Sequence, residues 1–272
     1  MFSPFYFSAR RRGRACAYDH CAVNVALYGP RSKHWAFSEY RCKPADFATG
    51  GLRIGNSTLE WNDPVLECRI HETGAPLPRA LRGRVRIHTE AMPAFRLPLD
   101  VERRHWWRPI APRATVEVDF EQPALRWRGQ GYLDSNHGEE PLDVGMQHWS
   151  WQRAHTSGGT RIVYDIQPAG GPPASHALDF ERSGRILYPE LPPRHELPGT
   201  LWQLGRSARS DAGSAPRVLA TLEDAPFYSR TLLRTACNGK EVATVHETLS
   251  LERFRSSWVR ALLPFRMRWS RR

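Results

Sequence analysis

The sequence lacks any apolar segment long enough to cross a membrane as a helix. No run among its 272 residues approaches the roughly 18 to 20 consecutive apolar residues that such a helix requires. The N-terminus, MFSPFYFSARRR, carries its positive charges after the apolar stretch, whereas a secretory signal peptide carries them before it. The sequence therefore predicts neither a transmembrane helix nor a signal peptide.

Cysteine is scarce, and the cysteines form no recognisable framework. They are odd in number and scattered along the chain: Cys16, Cys21, Cys42, Cys68 and Cys237. This usage is typical of a protein from a reducing compartment. No two cysteines make a C-x-x-C pair, and the 11 histidines form no H-E-x-x-H pair, so the sequence predicts no dedicated metal site.

Acidic residues are fewer than basic ones. The chain has 28 Asp and Glu against 39 Lys and Arg, which gives a net charge of +11. Such a balance suits an anionic partner, either nucleic acid or phospholipid, and equally a solvated basic face with no partner. The sequence contains no helix-turn-helix, zinc-finger spacing or RNP-type strand, which argues against nucleic acid. We therefore expect peripheral contact with an anionic membrane surface from the cytoplasmic side. Two groups of arginines would make it: Arg10, Arg11, Arg12 and Arg14, and Arg266, Arg268, Arg271 and Arg272.

Short β-rich runs recur along the chain with turn residues between them. They cover residues 21–28, 58–61, 65–71, 84–88, 115–120, 125–132, 161–167, 228–235 and 240–251. Apolar residues alternate in several of them, as at Val116, Val118 and Phe120, which is typical of strands with one buried face. The 22 prolines and 20 glycines lie mostly between the runs. The pattern predicts an all-β barrel or sandwich fold.

The length suits two domains, and only one segment favours a helix. Residues 256–265 carry apolar side chains at helical spacing near the C-terminus. Clusters of proline or glycine at 109–112 and 167–176 are typical of linkers between structural elements. We expect the domains to cover 1–115 and 116–272.

Residues 129–153 contain most of the candidate catalytic side chains. Together with Ala154 they read GQGYLDSNHGEEPLDVGMQHWSWQRA. In an extended strand, side chains two positions apart face the same way. This places Tyr132 beside Asp134, and Trp149, Trp151 and Arg153 together. Upstream, His105 and Trp107 share a face for the same reason. One cavity could therefore receive a carboxyl, a phenol, an imidazole and several indoles.

A carboxyl group in an aromatic cavity is suited to acid catalysis. Burial disfavours its charged form, so we expect the pKa of Asp134 to be raised above its ordinary value of about 3.9. Indole faces attract cations, by roughly 0.5 to 2 kcal/mol each where water is excluded. A neutral acid beside cation-stabilising rings suits the protonation of an unactivated alkene.

The same residues also fit ordinary structural roles. Asp134, followed by Ser-Asn-His-Gly, fits a turn in which its side chain accepts backbone N–H groups. The tryptophans fit a plain core, His105 a buried structural histidine, and Arg153 an ion pair with Glu139 or Glu140.

The segments GQGYLDSNHGEEPL and HWSWQRA resemble the signature of the carotenoid 1,2-hydratase family, the hydroxyneurosporene synthases. The similarity continues in FSPFYF and DHCAVNVALYG near the N-terminus, and in EDAPFYSRTLLRT, VATVHETLSLERFRSSWVR and LLPFRM near the C-terminus. It implies two lipocalin-like β-barrels in tandem and no cofactor. It also implies a location at the bacterial inner membrane and a further segment ahead of FSPFYF, so the first barrel is expected to lack its opening strand.

The activity implied by the resemblance is hydration of the C1–C2 double bond of an acyclic carotenoid such as neurosporene or lycopene. The family's His-x-Trp and Tyr-x-Asp patterns match His105, Trp107, Tyr132 and Asp134.

Each residue is expected to take a defined part in this reaction. Asp134 protonates C2, the indole of Trp107 faces the cation at C1, Tyr132 orients the acid or the water, and His105 accepts the proton of the water. Trp149 and Trp151 are expected to contact the substrate, and Asn136 and Arg153 to support these residues. Two other classes stay open: a lipocalin-like carrier of carotenoid or lipid, and a cyclase of the same fold.

Overall fold

A computed structural model of the chain describes residues 3–29 and 32–269. The strands are β1 (Cys21–Tyr28), β2 (Lys33–Tyr40), β3 (Phe47–Ala48), β4 (Gly51–Ile54), β5 (Ser57–Asn62), β6 (Val65–Thr73), β7 (Ala80–Thr89), β8 (Leu97–Pro98), β9 (His105–Gln122), β10 (Leu125–Gly138), β11 (Met146–His155), β12 (Gly159–Pro168), β13 (Ala174–Glu181), β14 (Ile186–Leu187), β15 (Arg194–Glu196), β16 (Ser207–Arg209), β17 (Arg217–Asp224), β18 (Tyr228–Cys237), β19 (Lys240–Ser250) and β20 (Arg268–Trp269).

Helices are few and short. They are α1 (Pro4–Arg11), α2 (Leu142–Gly145), α3 (Leu251–Arg255) and α4 (Ser257–Leu262), with 3-10 turns at Ala17–His20, Pro44–Asp46 and Leu263–Arg266. The all-β class with a short C-terminal helix is thus confirmed. None of the helices within residues 3–29 and 32–269 is long and apolar enough to span a bilayer.

The chain forms two compact units that alternate along the sequence. The first comprises the described residues of Met1–Glu90, Ala114–Tyr132 and Arg260–Arg272, and the second comprises Ala91–Arg113 and Leu133–Val259. Strands β9 and β10 each contribute residues to both units. Residue 115, where the sequence predicts a boundary between two barrels, lies inside β9. The division into barrels at that residue stays a prediction.

The first unit contains an antiparallel meander in which β3, β4, β5, β6 and β7 pair in succession and β7 pairs with the second half of β9. Its core joins Ala36, Leu81, Val118 and Phe120. The apolar alternation in β9 explains this core, since every second side chain of a strand faces the same way. Gly83 lies opposite Phe120, and a side chain there would begin 2.5 Å from the phenyl ring.

The second unit is built on a seven-stranded antiparallel sheet in the order β14-β13-β12-β11-β19-β18-β17. The two-stranded pair β15-β16 is bound to it by Arg209, which donates to both carboxylate oxygens of Asp165 at 2.8 to 3.0 Å. Strand β11 is the middle strand of the large sheet, so both of its backbone edges are paired, with β12 and with β19.

The strands predicted from the sequence are confirmed, and the glycine-rich segment after residue 167 joins β12 to β13 as a hairpin. Two local interpretations are wrong. The prolines of 109–112 lie within the continuous strand β9 rather than in a loop, and Asp134 lies within β10 rather than in a turn. Helix α1 was not predicted from the sequence. Ser3 caps it by accepting the backbone N–H groups of Phe5 and Tyr6 at 3.1 and 3.0 Å.

Candidate active site

The carboxyl of Asp134 is held by an indole in the second unit. The indole Nε1–H of Trp107 on β9 donates to Oδ2 of Asp134 on β10 at 2.8 Å. Trp107 is fully buried and Asp134 is half-buried. The indole N–H therefore orients the half-buried carboxyl.

Aromatic rings surround Trp107. Its ring centroid lies 5.7 Å from that of Tyr164, 6.4 Å from Phe180 and 6.4 Å from Phe95, all in edge-to-face geometry. These rings come from β12, β13 and the segment before β8, so the cluster forms only when the sheet has assembled. Edge-to-face pairs each add about 0.5 to 1.5 kcal/mol beyond burial, which makes the cluster rigid.

Tyr164 connects this cluster to Asp134 electrostatically. Burial first, and then the charge of Asp134, raise the pKa of Tyr164 well above its ordinary value. Its phenol therefore stays protonated.

The tryptophans of β11 lie on the same face of the sheet as Tyr164. Trp151 is paired directly with Tyr164 across the strands, and Trp149 lies diagonally from it with 6.3 Å between ring centroids. Trp151 is 8% exposed and Trp149 is half-buried. The aromatic face predicted for β11 is thus continuous with the rings around Trp107.

His105 is oriented by an aspartate that the sequence analysis did not identify. The ring Nδ1 of His105 lies 2.9 Å from Oδ2 of Asp100, and the backbone N–H of His105 donates to the same oxygen at 2.8 Å. Burial raises the pKa of Asp100, but the backbone N–H of Arg104 and both groups of His105 outweigh it, so that pKa lies below its ordinary value. Since the carboxylate accepts, Nδ1 carries the proton.

The other ring nitrogen of His105 is left as an acceptor. Nε2 is buried and has no hydrogen-bond partner within residues 3–29 and 32–269. Two glycines lie against the ring: a side chain on Gly138 would begin 2.7 Å from Cδ2, and one on Gly145 would begin 2.2 Å from Cε1. The glycines thus let the backbone approach the imidazole edge, and Nε2 keeps a free lone pair.

The remaining predicted residues occupy the same strands. Arg153 on β11 donates to Nε2 of His155 at 2.7 Å, and Nδ1 of His155 donates to Thr160 at 2.8 Å. Tyr132 is half-buried in β10, two residues before Asp134, and Asn136 is exposed in the same strand. Glu140, one of the two acids considered for Arg153, pairs with Arg104 at 3.2 Å.

Four residues of this arrangement carried little signal in the sequence: Phe95, Asp100, Tyr164 and Phe180. Asp100 precedes His105 by five residues, and such a loop aspartate that accepts nearby backbone N–H groups is a common turn feature. Only its bond to the imidazole distinguishes it. In the part of the chain that the structure describes, no group of three or more His, Cys, Asp or Glu side chains is arranged to hold a metal ion.

These side chains can donate and accept protons beside a cluster of aromatic rings. A carboxyl with one oxygen bound to an indole N–H can donate a proton from its other oxygen. An imidazole with Nδ1–H bound to a carboxylate can accept a proton at Nε2. The aromatic rings around Trp107 can stabilise a positive charge.

Comparison with known proteins identifies relatives along the whole chain. The model of the family described as carotenoid hydratase CrtC matches residues 1–272. The chain is 48% identical over 268 residues to the acyclic carotenoid 1,2-hydratase of Thiocapsa roseopersicina and 39% identical over 270 residues to that of Rubrivivax gelatinosus. Each alignment covers 98% of this chain and 66% of the relative, so the chain spans just under two thirds of their length.

A shorter relative is matched over nearly its full length. The acyclic carotenoid 1,2-hydratase of Cereibacter sphaeroides is 32% identical over 268 residues, which are 98% of this chain and 94% of that protein. Among solved structures, a protein described as an AttH from Nitrosomonas europaea superposes with a TM-score of 0.52 at 14% identity, covering 84% of this chain and 80% of that one. That likeness shows the fold alone.

Proposed function

The chain belongs to the carotenoid hydratase family, and from this premise we propose that it adds water to the C1–C2 double bond of an acyclic carotenoid without a cofactor. The substrate is of the neurosporene or lycopene type, and the product is the 1-hydroxy tertiary alcohol. The observation that carries the proposal is the hydrogen bond between Trp107 and Asp134 inside the aromatic cluster.

Asp134 supplies the proton in the first step. Oδ2 accepts the indole N–H of Trp107, so in the neutral form that acid catalysis requires, the carboxyl carries its proton on Oδ1. Transfer of that proton to C2 uses the π electrons of the C1–C2 bond and leaves a tertiary cation at C1. Donation to the less substituted carbon is favoured because the tertiary cation is the more stable one.

The aromatic rings stabilise the cation. Trp107, Trp149 and Trp151 contribute indoles to the cluster, and an indole face attracts a desolvated cation by about 2 kcal/mol. The rest of the polyene is apolar and gains from contact with the same surfaces.

Water then adds to C1, and His105 accepts one of its protons. The lone pair of Nε2 is available because Asp100 holds the proton on Nδ1. The proton gained by His105 balances the one lost by Asp134, and its return to Asp134 resets the enzyme. Tyr132 is assigned to orienting the acid or the water, and Asn136 and Arg153 to supporting the strands that carry these groups.

A carotenoid carrier would need the aromatic cluster but not the acid within it. A carrier gives no reason for Asp134 to be half-buried and bonded to a fully buried indole, because burial of a carboxyl costs free energy. The position of Asp134 therefore favours catalysis over carriage.

The test is incubation of the purified protein with lycopene-containing membranes, followed by mass analysis of the pigments. Hydration predicts a product heavier by one water. A product of unchanged mass and altered retention would indicate a cyclase, and unaltered pigment that co-purifies with the protein would indicate a carrier. Either result would overturn the proposal.

We further propose that the protein acts as a peripheral protein at the anionic surface of the bacterial inner membrane, on its cytoplasmic side, where its substrate dissolves. Both basic segments belong to the first unit, and Arg11, Arg12 and Arg14 are exposed. Phe265 is 70% exposed immediately before Arg266, which suits an aromatic side chain that enters the interface beside basic groups. Arg271 and Arg272 lie outside the described residues.

A further inference from the structure

The first unit contains a polar cavity that the proposed hydration does not use. Its volume is about 750 Å³, and every residue that lines it belongs to the first unit. Its charged and aromatic lining consists chiefly of Tyr40, Arg41, Arg53, His71, Arg82 and Arg268. These residues come from β2, β4, β6, β7 and β20 and the segment after β2, so the fold assembles the cavity from distant parts of the chain.

Positive charge predominates in this cavity. Four arginines line it, against a single acid, Asp46, whose Oδ2 accepts the backbone N–H of Lys43 at 2.7 Å. Arg41 is paired with Asp19 at 2.7 Å. Arg53, Arg82 and Arg268 have no carboxylate partner among residues 3–29 and 32–269. Three guanidinium groups are therefore available to an anion.

The floor of the cavity is rigid. The hydroxyl of Tyr40 donates to Oε2 of Glu72 at 2.8 Å, and Ser57 donates to Oε1 of the same carboxylate at 2.6 Å. Glu72 is 1% exposed, so its charge lies beneath the floor and is held by neutral donors. Gly55 lies against the Tyr40 ring, where a side chain would begin 2.5 Å from Cε1.

Arg82 is positioned by the backbone rather than by a carboxylate. Its guanidinium donates to the backbone oxygens of Glu72 and Leu81, the latter at 3.1 Å. Burial and Glu72 raise the pKa of Tyr40 to about 12, so its phenol stays neutral beside Arg82. Arg82 is thus held in place without a direct carboxylate partner among the residues that the structure describes.

We propose that this cavity binds a phosphate-bearing anion. A guanidinium presents paired N–H donors that match phosphate oxygens, and several guanidinium groups from different strands suit the multiple charge of phosphate better than a single carboxylate. Two sources of this chemistry exist: the headgroup of an anionic phospholipid and a soluble phosphate ester. The structure favours the headgroup, because Arg268 on β20 follows the exposed Phe265 within three residues.

The test compares two double variants of equal charge. R53Q/R268Q removes two exposed arginines of the cavity, and R126Q/R128Q removes two exposed arginines of β10 in the same unit that lie near Asp119 and Glu117. Binding of inorganic phosphate is measured by calorimetry. We expect R53Q/R268Q to bind phosphate about tenfold or more weakly than the control. Both pairs are on the surface, and melting temperatures confirm that both variants fold.

Flotation with phosphatidylcholine vesicles, with and without phosphatidylglycerol, distinguishes the sources. Because Arg268 also belongs to the basic C-terminal segment, R53Q and R126Q are floated as single variants as well, and weaker binding of R53Q than of R126Q to the phosphatidylglycerol vesicles supports the headgroup. Loss of phosphate binding with equal flotation of both variants supports a soluble ester and overturns the headgroup. Equal phosphate affinity of the two variants overturns the site. Neither measurement involves carotenoid, so the outcome is independent of the proposed hydration.

Discussion

Trp107 and Asp134 are joined by a hydrogen bond, 2.8 Å long, from the indole Nε1–H to Oδ2. The bond connects neighbouring strands β9 and β10 at residues 27 positions apart. Two parts of the indole therefore act differently: the N–H orients the acid, and the ring belongs to the aromatic cluster. Variants at the two positions therefore separate acid chemistry from positioning.

Replacement of Asp134 by Asn should preserve the fold and carotenoid binding but lower turnover by roughly 10² to 10⁴, the usual range for loss of a general acid. The amide keeps the shape and an acceptor oxygen for Trp107, but it has no acidic proton. Hydration rates and pigment affinity are measured, with Asp119→Asn as a control at an aspartate paired with Arg126. Substantial hydration by the Asp134→Asn variant would remove Asp134 from its role.

Turnover should be highest with the native Trp107, lower in Trp107→Phe and lowest in Trp107→Leu. Phenylalanine keeps a ring of weaker quadrupole but loses the N–H donor, and leucine loses both. Carotenoid affinity should change much less, because burial acts on the ground state and the transition state alike, whereas the cation forms only near the transition state. Equal rates for Phe and Leu would assign Trp107 to positioning Asp134, and parallel losses in rate and affinity would assign it to pocket shape.

Replacement of Asp100 by Asn should lower turnover by about one to two orders of magnitude, less than removal of the base itself. The neutral amide holds Nδ1–H of His105 more weakly, so the tautomer with a free Nε2 becomes less populated. Nitrogen NMR of the ring should show one tautomer in the native protein and a mixture in the variant. A variant with reduced turnover and an unchanged tautomer would show that Asp100 acts only on stability.

Stability should fall as the pH is lowered, in part through His246. This side chain is fully buried, its Nε2 lies 2.9 Å from the backbone oxygen of Ser207, and burial lowers its pKa to about 4. Below its ordinary pKa of about 6.5, the unfolded chain takes up a proton that the folded protein does not. With respect to this group, the folded protein therefore has its full stability above about pH 6.5 and loses part of it as the pH falls toward 4.

The measurement is the free energy of unfolding by urea. Between about pH 7.5 and about pH 5, His246 should account for a decrease on the order of 2 kcal/mol. His246→Gln should lower stability at the higher pH and show a smaller decrease, while the exposed His137→Gln should retain it. The pKa values of His148 and His176 are also lowered by burial, but both residues remain in each variant. An unchanged pH dependence in His246→Gln would contradict this assignment.

The protein should float with anionic liposomes and much less with neutral ones. Each Lys or Arg near the surface contributes about 1 kcal/mol, and added salt should weaken binding. Phe265→Ser should reduce flotation, whereas Leu201→Ser should not, although Leu201 is 86% exposed and Phe265 70%. The two residues differ in their surroundings, because Phe265 directly precedes Arg266 in one of the basic segments. Equal partitioning into both liposomes, unaffected by salt, would leave the basic excess without this explanation.

Local sequence patterns predicted strands well where apolar residues alternate, as at Val116, Val118 and Phe120. They failed where side chains of mixed polarity form a strand, as in Lys33–Tyr40, whose sequence KHWAFSEY has no period of two. That strand forms because all eight of its residues pair with Cys21–Tyr28. Pairing with a partner strand supplies the backbone hydrogen bonds whatever the side chains are, so the strand carries little local signal.

Local sequence patterns were enough to predict the residues of the proposed site and the shared strand face of His105 and Trp107, because the side-chain period of a strand is two. Only the tertiary structure decided that Trp107 reaches Asp134, that Asp100 orients His105, and that Tyr164 and Phe180 complete the aromatic cluster. These contacts depend on which strands are neighbours and in which register they pair. Neighbours and register follow from the burial of whole faces across the sheet, which no short segment of sequence records.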